Sequence, residues 1–356
     1  ADATNYDRTV AVSRSGALSG ATCRIIRNTQ TGNSRVACAG VRGSLVLGPT
    51  APSSSSTVVD PNVWYPVSIA GNVKKIALGE SHACALTSDE KVFCWGSNYD
   101  GQLGAPLTAQ PSTATPVLVR MGTTNLRATS LAASGTASCV VRRSRGILPG
   151  DDLPEADRKV YCFGKFRNSL NYLVTVSADL GIQNRSGTAF LPPTGGNGEF
   201  SKVVMNSVMG CSLHSTGKVY CWEALGTSGV PAMKELLPSS QIPLLPVFTD
   251  VVASENLMCG MAGARLHCWG AKAPVDAITG QITPSVLQTT STGYLVFRVA
   301  NMPTLASGAT WKGLMVKESV YSYSGAMANG RGVCLIASDK RVYCYGYNSN
   351  GTMKAA

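Results

Sequence analysis

The twelve cysteines constrain the fold of this chain more than any other feature of its 356 residues. In chain order they form six close pairs, and the members of a pair are nine to 23 residues apart. The pairs are Cys23 with Cys38, Cys84 with Cys94, Cys139 with Cys162, Cys211 with Cys221, Cys259 with Cys268, and Cys334 with Cys344. The second cysteine of every pair has an aliphatic residue two positions before it, and in five of the six an aromatic residue directly follows. This regularity indicates an internal repeat with one cysteine pair in each unit.

Within a unit, the two cysteines fit facing positions of a β-hairpin. Cys84 and Cys94 are equidistant from Asp89, which lies in a Ser-Asp-Glu turn. Directly opposed residues at a non-hydrogen-bonded site have Cβ atoms about 4.5–5.5 Å apart, close to the ~3.5–4.5 Å that a disulfide needs. An even count in constant register is typical of a disulfide framework. Two alternatives stay open: reduced structural cysteines, and zinc, whose ligand pairs are normally closer in sequence.

The sequence between the cysteines favours short strands. Its 37 glycines and 18 prolines interrupt every candidate helix, and several short apolar runs have strand character. Hydrophobic residues make up 44% and charged residues 14%, so the chain can bury a sizeable core. No apolar run approaches the roughly 18 residues that span a membrane. Second cysteines recur at intervals of 47 to 76 residues, a period that favours propeller blades over short solenoid coils.

One segment carries a family resemblance. Gly79-Glu80-Ser81-His82 precedes the first cysteine of the second pair, and residues 94–104 read Cys-Trp-Gly-Ser-Asn-Tyr-Asp-Gly-Gln-Leu-Gly. This pattern resembles the repeat of the regulator-of-chromosome-condensation family of β-propellers, and Tyr-Gly-Tyr-Asn-Ser-Asn-Gly at 345–351 repeats its core. The other four repeats keep the strand pair without the Gly-Gln-Leu-Gly tail. The family includes a nuclear nucleotide exchange factor and secreted propellers such as a β-lactamase inhibitor. The resemblance does not imply nucleotide exchange or β-lactamase inhibition for this chain, because no matching binding motif is present.

We predict a single all-β domain over 1–356, a β-propeller of about six four-stranded blades, each with one disulfide inside a hairpin. Seven blades are the alternative, since that is the usual number in the family that the chain resembles. The cysteine-marked repeats lie near 9–48, 64–104, 116–166, 200–226, 246–272 and 284–351, with insertions at 142–159 and 287–324.

Three finer expectations concern individual strands. The strand near residues 9–12 is expected to complete the last blade and so remove an exposed sheet edge. Residues 246–248 are interpreted as a strand that precedes another at 250–253. Residues 283–324 are interpreted as first-strand material followed by an elaborated loop.

Few residues suggest chemistry, and we predict no enzyme, no cofactor and no metal site. The histidines His82, His214 and His267 all lie on the paired hairpin strands and are interpreted as structural or surface residues. Nucleophile elbows, zinc-protease helices and phosphate-binding loops are not found in the sequence. The one dense acidic cluster lacks the spacing of a calcium loop and is interpreted as a solvated surface; it comprises Asp151, Asp152, Glu155 and Asp157.

Candidate contact residues are basic or aromatic side chains in loops where they interrupt the polar pattern. They are Trp64, Tyr65, Arg142, Arg143, Arg145, Trp311, Tyr321 and Tyr323. Trp and Tyr are enriched at interface hot spots, and core packing is the alternative for the aromatic residues. For the arginines, the alternative is a tolerated loop. Asn184 and Asn350 begin glycosylation sequons that have meaning in a eukaryotic secretory pathway.

Charge and cysteine usage narrow the function classes. The formal net charge of +11 is spread thinly, which disfavours nucleic acid and suits an acidic protein, polysaccharide or surface. Persistent disulfides imply a secreted or cell-surface protein, or a periplasmic one in a bacterium. We therefore predict a secreted protein- or glycan-binding module that uses loops on a propeller face. The alternatives are a structural subunit that self-associates in an extracellular assembly, and an enzyme inhibitor or carbohydrate-active enzyme.

Overall fold

The protein consists of β-strands joined by turns and loops, with one 3-10 turn at Leu45–Leu47, throughout the part described by the computed structural model. That part comprises residues 6–12, 21–28, 30–104, 112–121, 124–142, 158–167, 173–175, 199–206, 209–223, 233–238, 244–253, 258–269, 289–290, 293–295, 297–298, 310–317, 332–338 and 341–346. The described residues include no helix that is long and apolar enough to cross a membrane. The chain divides into two compact units, residues 1–190 with 224–231 (unit 1) and residues 191–223 with 232–356 (unit 2).

Unit 1 contains three four-stranded antiparallel sheets whose strands follow one another in chain order. The first sheet consists of β1 (Tyr6–Val12), β2 (Ala21–Asn28), β3 (Ser34–Gly40) and β4 (Tyr65–Val67). The second sheet consists of β5 (Val73–Leu78), β6 (His82–Thr87), β7 (Val92–Gly96) and β8 (Thr113–Leu118). A small ribbon of β9 (Arg120–Met121) and β10 (Thr124–Asn125) follows. The third sheet consists of β11 (Ala128–Ser134), β12 (Thr136–Arg142), β13 (Val160–Arg167) and β14 (Leu173–Thr175).

Unit 2 contains the other three sheets. The fourth sheet consists of β15 (Phe200–Met205), β16 (Met209–His214), β17 (Val219–Glu223) and β18 (Lys234–Leu237). The fifth begins with β19 (Asp250–Ala253), β20 (Met258–Ala262) and β21 (Arg265–Trp269). The hairpin of β22 (Thr289–Thr290) and β23 (Gly293–Leu295) then extends the fourth sheet, because β23 pairs in parallel with β18. Next, β24 (Phe297–Arg298) completes the fifth sheet. The sixth consists of β25 (Trp311–Lys317), β26 (Gly332–Ala337) and β27 (Val342–Gly346).

Each sheet carries its cysteine pair on two neighbouring antiparallel strands. Five disulfides are described, and in each the two Cα atoms are 4.0–4.1 Å apart; they are Cys23–Cys38, Cys84–Cys94, Cys139–Cys162, Cys211–Cys221 and Cys259–Cys268. Such short separations are typical of opposed residues without a hydrogen bond between them. Cys334 and Cys344 face each other in the same register in β26 and β27. Six sheets in series, each with a cysteine pair, confirm the predicted all-β propeller.

The hydrophobic cores lie between neighbouring sheets of one unit. One cluster joins the first and second sheets, where Ile25 and Val36 pack with Ile76 and the fully buried Trp95. A second cluster joins the second and third sheets, and a third cluster joins the fourth and fifth. Every residue of β6 and β7 is buried, as expected of strands that have apolar neighbours on both faces. This explains why Val-Phe-Cys-Trp-Gly lacks the alternation of a half-exposed strand.

The position predicted for the N-terminal strand is wrong. Residues 9–12 belong to β1, which pairs along its whole length with β2 and is the first strand of the first sheet. They were expected to complete the last blade. The physical reason is the short connection: eight residues separate β1 from β2, so a local hairpin costs little loop-closure entropy.

Two segments of unit 2 differ from the finer expectations. Residues 246–248 form no strand, because Pro246 lacks the backbone N–H that a ladder requires, whereas residues 250–253 form β19 as predicted. The predicted insertion at 287–324 contains four strands, β22 to β25, of which β25 is the expected first strand of the sixth sheet. The other predicted insertion, 142–159, lies outside the described residues at 143–157. The single-domain boundaries stay a prediction.

Candidate functional site

The residues of the repeat motif serve to connect sheets. His82 is completely buried, and its Nε2 lies 2.7 Å from Ser138 Oγ on β12 of the neighbouring third sheet. The ring also covers Gly79, so closely that a methyl group there would collide with the imidazole. Burial lowers the pKa of His82 from 6.5 to about 3, so the imidazole is neutral at pH 7. A neutral ring enclosed between two sheets is a structural residue, with no access for a substrate.

The Asn-Tyr-Asp-Gly-Gln-Leu-Gly tail forms a closed turn next to this contact. The buried Asn98 side chain accepts a hydrogen bond from the Leu103 amide through its Oδ1, at 2.9 Å. Gln102 Oε1 accepts from the Asp100 amide at 2.8 Å. Tyr99, by contrast, points into solvent with 74% of its side chain exposed. The polar residues of the tail therefore satisfy their own backbone, and only Tyr99 is presented outward.

The other two histidines also make contacts with neighbouring side chains. His214 Nδ1 lies 2.8 Å from Thr216 Oγ1, and its ring makes edge contacts with Phe200 and Tyr220. His267 is buried and packs edge-on against Phe248. Among the described residues, no three metal-ligating side chains come together. The geometry thus points to surfaces as candidate sites, and away from pockets of reactive groups.

Three of the six exposed large apolar side chains in the described part of the chain lie in residues 41–64, the β3–β4 loop. Val41, Val58 and Val63 are all exposed in it. The loop is held by backbone hydrogen bonds from the Gly43 amide to Thr57 O (2.8 Å) and from the Val59 amide to Val41 O (3.3 Å). An antiparallel bridge also joins Arg42 to Val58. These three valines are therefore displayed by a structured loop.

The base of the β3–β4 loop is part of the core. Val46, Leu47 and Val59 are buried in the cluster between the first and second sheets. Trp95 of the second sheet donates its indole N–H to Val46 O at 2.9 Å and is itself completely buried. Two sheets of unit 1 therefore fix the base of the loop, while Val41, Val58 and Val63 stay exposed.

Two of the predicted contact residues flank this loop. Trp64 is half-buried, and the guanidinium carbon of Arg24 lies 3.9 Å from the centre of its ring. At this distance a cation–π interaction holds both side chains at the surface. Tyr65 in β4 lies opposite Cys38 and is partly buried against the core. Its ring therefore packs in the core, as the alternative interpretation expected, and is also partly exposed, as a contact residue would be.

The remaining predicted contact residues are not brought to this loop by any described contact. Arg142 ends β12 and is half-buried, with Nη1 3.4 Å from the Tyr161 hydroxyl of the adjacent strand. Trp311 begins β25, where only the backbone is described. The other four contact residues lie outside the described residues; they are Arg143, Arg145, Tyr321 and Tyr323. The sequon residues Asn184 and Asn350 lie outside them as well.

Sequence reasoning missed the exposed valines. Val58 and Val59 are consecutive, and two valines alone are too short a pattern to distinguish a buried strand from a surface loop. The available signal was the Pro-Ser-Ser-Ser-Ser run at 52–56 before them and the Asp-Pro-Asn turn sequence at 60–62 after them, which together predict a surface loop.

Comparison with known proteins agrees with this architecture. Family models of the regulator of chromosome condensation (RCC1) repeat match residues 73–102 and 89–141. No curated protein sequence matches the chain. The structure of human WBSCR16 is similar with a TM-score of 0.57 and 16% identity, over 86% of this chain and 70% of that one. At this identity the similarity concerns the fold.

Yeast RCC1 (Prp20), solved with Kap60 bound, aligns with a TM-score of 0.48 and 16% identity, over 77% of this chain and 55% of that one. Prp20p from Saccharomyces cerevisiae, in a structure whose title names binding to Gsp1p and histones, aligns with a TM-score of 0.48 and 14% identity, over 78% and 61%. The chain therefore spans less than two thirds of these yeast chains. Residues 73–141 therefore match the regulator of chromosome condensation repeat, and the six sheets together with the similarity to WBSCR16 show a β-propeller fold.

Proposed function

We propose that this chain is a protein-binding module that works outside the cytosol and contacts its partner through the β3–β4 loop. One observation carries the proposal: Val41, Val58 and Val63 are each exposed on one ordered loop whose base is fixed in the core. An ordered loop that keeps three large apolar side chains in solvent is a candidate interaction surface, because burying them on a partner would remove apolar area from water. A preordered loop also loses little conformational entropy on binding.

The side chains around the valines suit a protein partner. Trp64 and Arg24 belong to residue types that are enriched at the energetic centres of protein interfaces, and their stacking places them at the edge of the loop. An apolar group beside an aromatic ring and a guanidinium can bury aliphatic side chains and pair with a carboxylate. An acidic protein surface fits this combination and the net charge of +11.

The disulfides support a location outside the cytosol. Five are described, one in each of five sheets, and persistent disulfides of this number form in oxidising compartments. The proposal therefore directs the search for a partner to the extracellular or periplasmic fraction. No catalytic step is part of it, since the histidines are engaged in packing and hydrogen bonds.

Affinity capture with matched variants tests the proposal. The oxidised protein is immobilised and exposed to the extracellular fraction of its source, beside the double variant Val58→Asp/Val63→Asp. Tyr99→Asp is the control, because Tyr99 is as exposed as Val58, at 74%, but lies in a different turn. We expect proteins that are retained by the wild type and by Tyr99→Asp and are lost with the double variant. A retained set that is the same for all three proteins would rule out the loop as the binding site.

A further inference from the structure

A run of five consecutive hydroxyl residues, 53–57, lies within the β3–β4 loop, and all five are exposed. Its sequence is Ser-Ser-Ser-Ser-Thr, with prolines at 49 and 52 before it and at 61 after it. Segments rich in serine and threonine with proline are typical carriers of O-linked sugars. Composition alone does not distinguish one hydroxyl from the next, but the hydrogen bonds of the loop do.

The backbone of this run is held against the start of the same loop. The Gly43 amide donates to Thr57 O at 2.8 Å, and Arg42 Nη1 donates to Ser55 O at 3.3 Å. The carbonyl oxygen of Ser54 lies so close to Gly43 that a methyl group there would collide with it. Ser54 O also accepts from the Thr57 amide at 3.0 Å, which closes a turn. The run is therefore ordered through its carbonyl groups, and its side chains remain exposed.

The five hydroxyl groups divide into two sets. Ser54 Oγ lies 2.6 Å from Ser56 Oγ, so these two hydroxyls are hydrogen-bonded to each other. Within the described part of the chain, the hydroxyls of Ser53, Ser55 and Thr57 make no hydrogen bond. An exposed hydroxyl of this second set can enter the active site of a modifying enzyme without the loss of a protein hydrogen bond.

The surroundings of the run favour a sugar over a phosphate. Residues 43–59 contain no charged side chain, and the flanking charges are Arg42 and Asp60. Arg42 donates to Ser55 O, and Asp60 Oδ1 accepts from the Asn62 amide at 2.8 Å. Phosphorylation requires ATP, which is a cytosolic cosubstrate, whereas sugars are attached to proteins in the compartments where disulfides form.

We propose that Ser53, Ser55 and Thr57 accept O-linked sugars from a glycosyltransferase that uses an activated sugar phosphate as donor. In this step the hydroxyl oxygen forms a bond to the anomeric carbon, and the bond from that carbon to the phosphate oxygen breaks. The phosphate leaves with the electron pair, and the hydroxyl proton passes to a base of the transferase. The modification goes beyond the proposed function and rests on it only for the location outside the cytosol.

The test is mass spectrometry of the protein purified from the extracellular or periplasmic fraction of its source. Trypsin releases residues 43–74 as one peptide, which contains the whole run and no cysteine. We expect this peptide to exceed its sequence mass by whole hexose or N-acetylhexosamine units. Fragmentation by electron transfer, which retains the sugars, should place them on Ser53, Ser55 or Thr57.

Matched variants made in the same source separate the two sets of hydroxyls. Ser53→Ala/Ser55→Ala/Thr57→Ala should lose the added mass. The control is Ser54→Ala/Ser56→Ala, which removes two exposed hydroxyls of the same turn and should keep the added mass. Circular dichroism and intact disulfides establish that each variant is folded.

Three results would overturn the proposal. They are a peptide found only at its sequence mass, an added mass that corresponds to phosphate, and sugars confined to Thr50, Ser54 or Ser56. Because the disulfides are mapped in the same sample, an unmodified peptide from the oxidised protein counts against the sugars alone. The measurement involves no partner, so the contact proposed for the β3–β4 loop would then stand.

Discussion

At the scale of single residues, the Gly-x-x-His motif forms a contact between two sheets. His82 reaches Ser138 of the third sheet, while the Glu80 amide donates to Gly135 O, also in the third sheet, at 2.7 Å. Gly79 must lack a side chain because the imidazole occupies that space. The sequence showed that these residues recur in a family pattern, but only the packing shows that they hold neighbouring sheets together.

The depressed pKa of His82 makes stability depend on pH. Its pKa is about 3 in the folded protein against 6.5 for the free side chain, so the unfolded chain takes up this proton first as the pH falls. Through this linkage the free energy of unfolding is highest above pH 6.5. It falls by roughly 1.4 kcal/mol per pH unit as the pH is lowered from 6.5 toward 3. We expect urea unfolding between pH 7 and 4.5 to show this loss in the wild type and a smaller one in His82→Gln. Equal slopes in both proteins would contradict it, because the carboxyl groups that titrate in this range are common to both.

At the scale of elements, the tryptophan after the second cysteine joins one sheet to the sheet before it in two places. Trp95 of the second sheet donates to Val46 O, at the base of the β3–β4 loop of the first sheet. Trp269 of the fifth sheet donates to the disulfide of the fourth, with Nε1 3.3 Å from Cys211 Sγ and 3.1 Å from Cys221 Sγ. Both indoles are completely buried, so each interaction is made in an apolar environment.

The two indole contacts predict unequal costs of substitution. Trp95→Phe leaves the Val46 carbonyl, a strong acceptor, without its donor, at a cost of about 1–3 kcal/mol beyond the lost packing. Trp269→Phe removes a donor from sulfur, a weak acceptor, and should cost less. The comparison is made by denaturant unfolding followed by circular dichroism, with disulfides intact. A larger loss for Trp269→Phe would show that packing, and not the acceptor, sets the cost.

Sequence patterns predicted some strands of each sheet better than others. The hairpins were predicted because facing cysteines report register directly, as Cys84 opposite Cys94 shows. The outermost strands β24 and β14 were not predicted, since they have two and three residues, too few to show a period. The proposed binding surface was also only partly predictable. Trp64 was recognisable by residue type, whereas the exposure of Val58 depends on which side of its loop packs on the core.

At the scale of the whole chain, the disulfides and the core have separate tasks. Each of the five described bonds joins two strands of one sheet, and none of these bonds joins different sheets. Cohesion between neighbouring sheets of a unit therefore comes from apolar packing, with polar contacts such as His82 to Ser138. The closed loops are short, and the stabilisation from each bond, roughly 3 kcal/mol in the chain-entropy model, is local to its hairpin.

Peptide mapping of the non-reduced protein tests this arrangement, and it also tests the sixth pair. Because β26 and β27 place Cys334 opposite Cys344 in the register found for the other five pairs, we expect a bond between them and no free thiol. Converting both to serine should then remove only that bond and destabilise the protein by roughly 3 kcal/mol. Free thiols at these two positions alone would contradict the predicted sixth disulfide. Twelve free thiols in native material would instead overturn the location outside the cytosol, while the sheets, which pair through backbone hydrogen bonds, would remain.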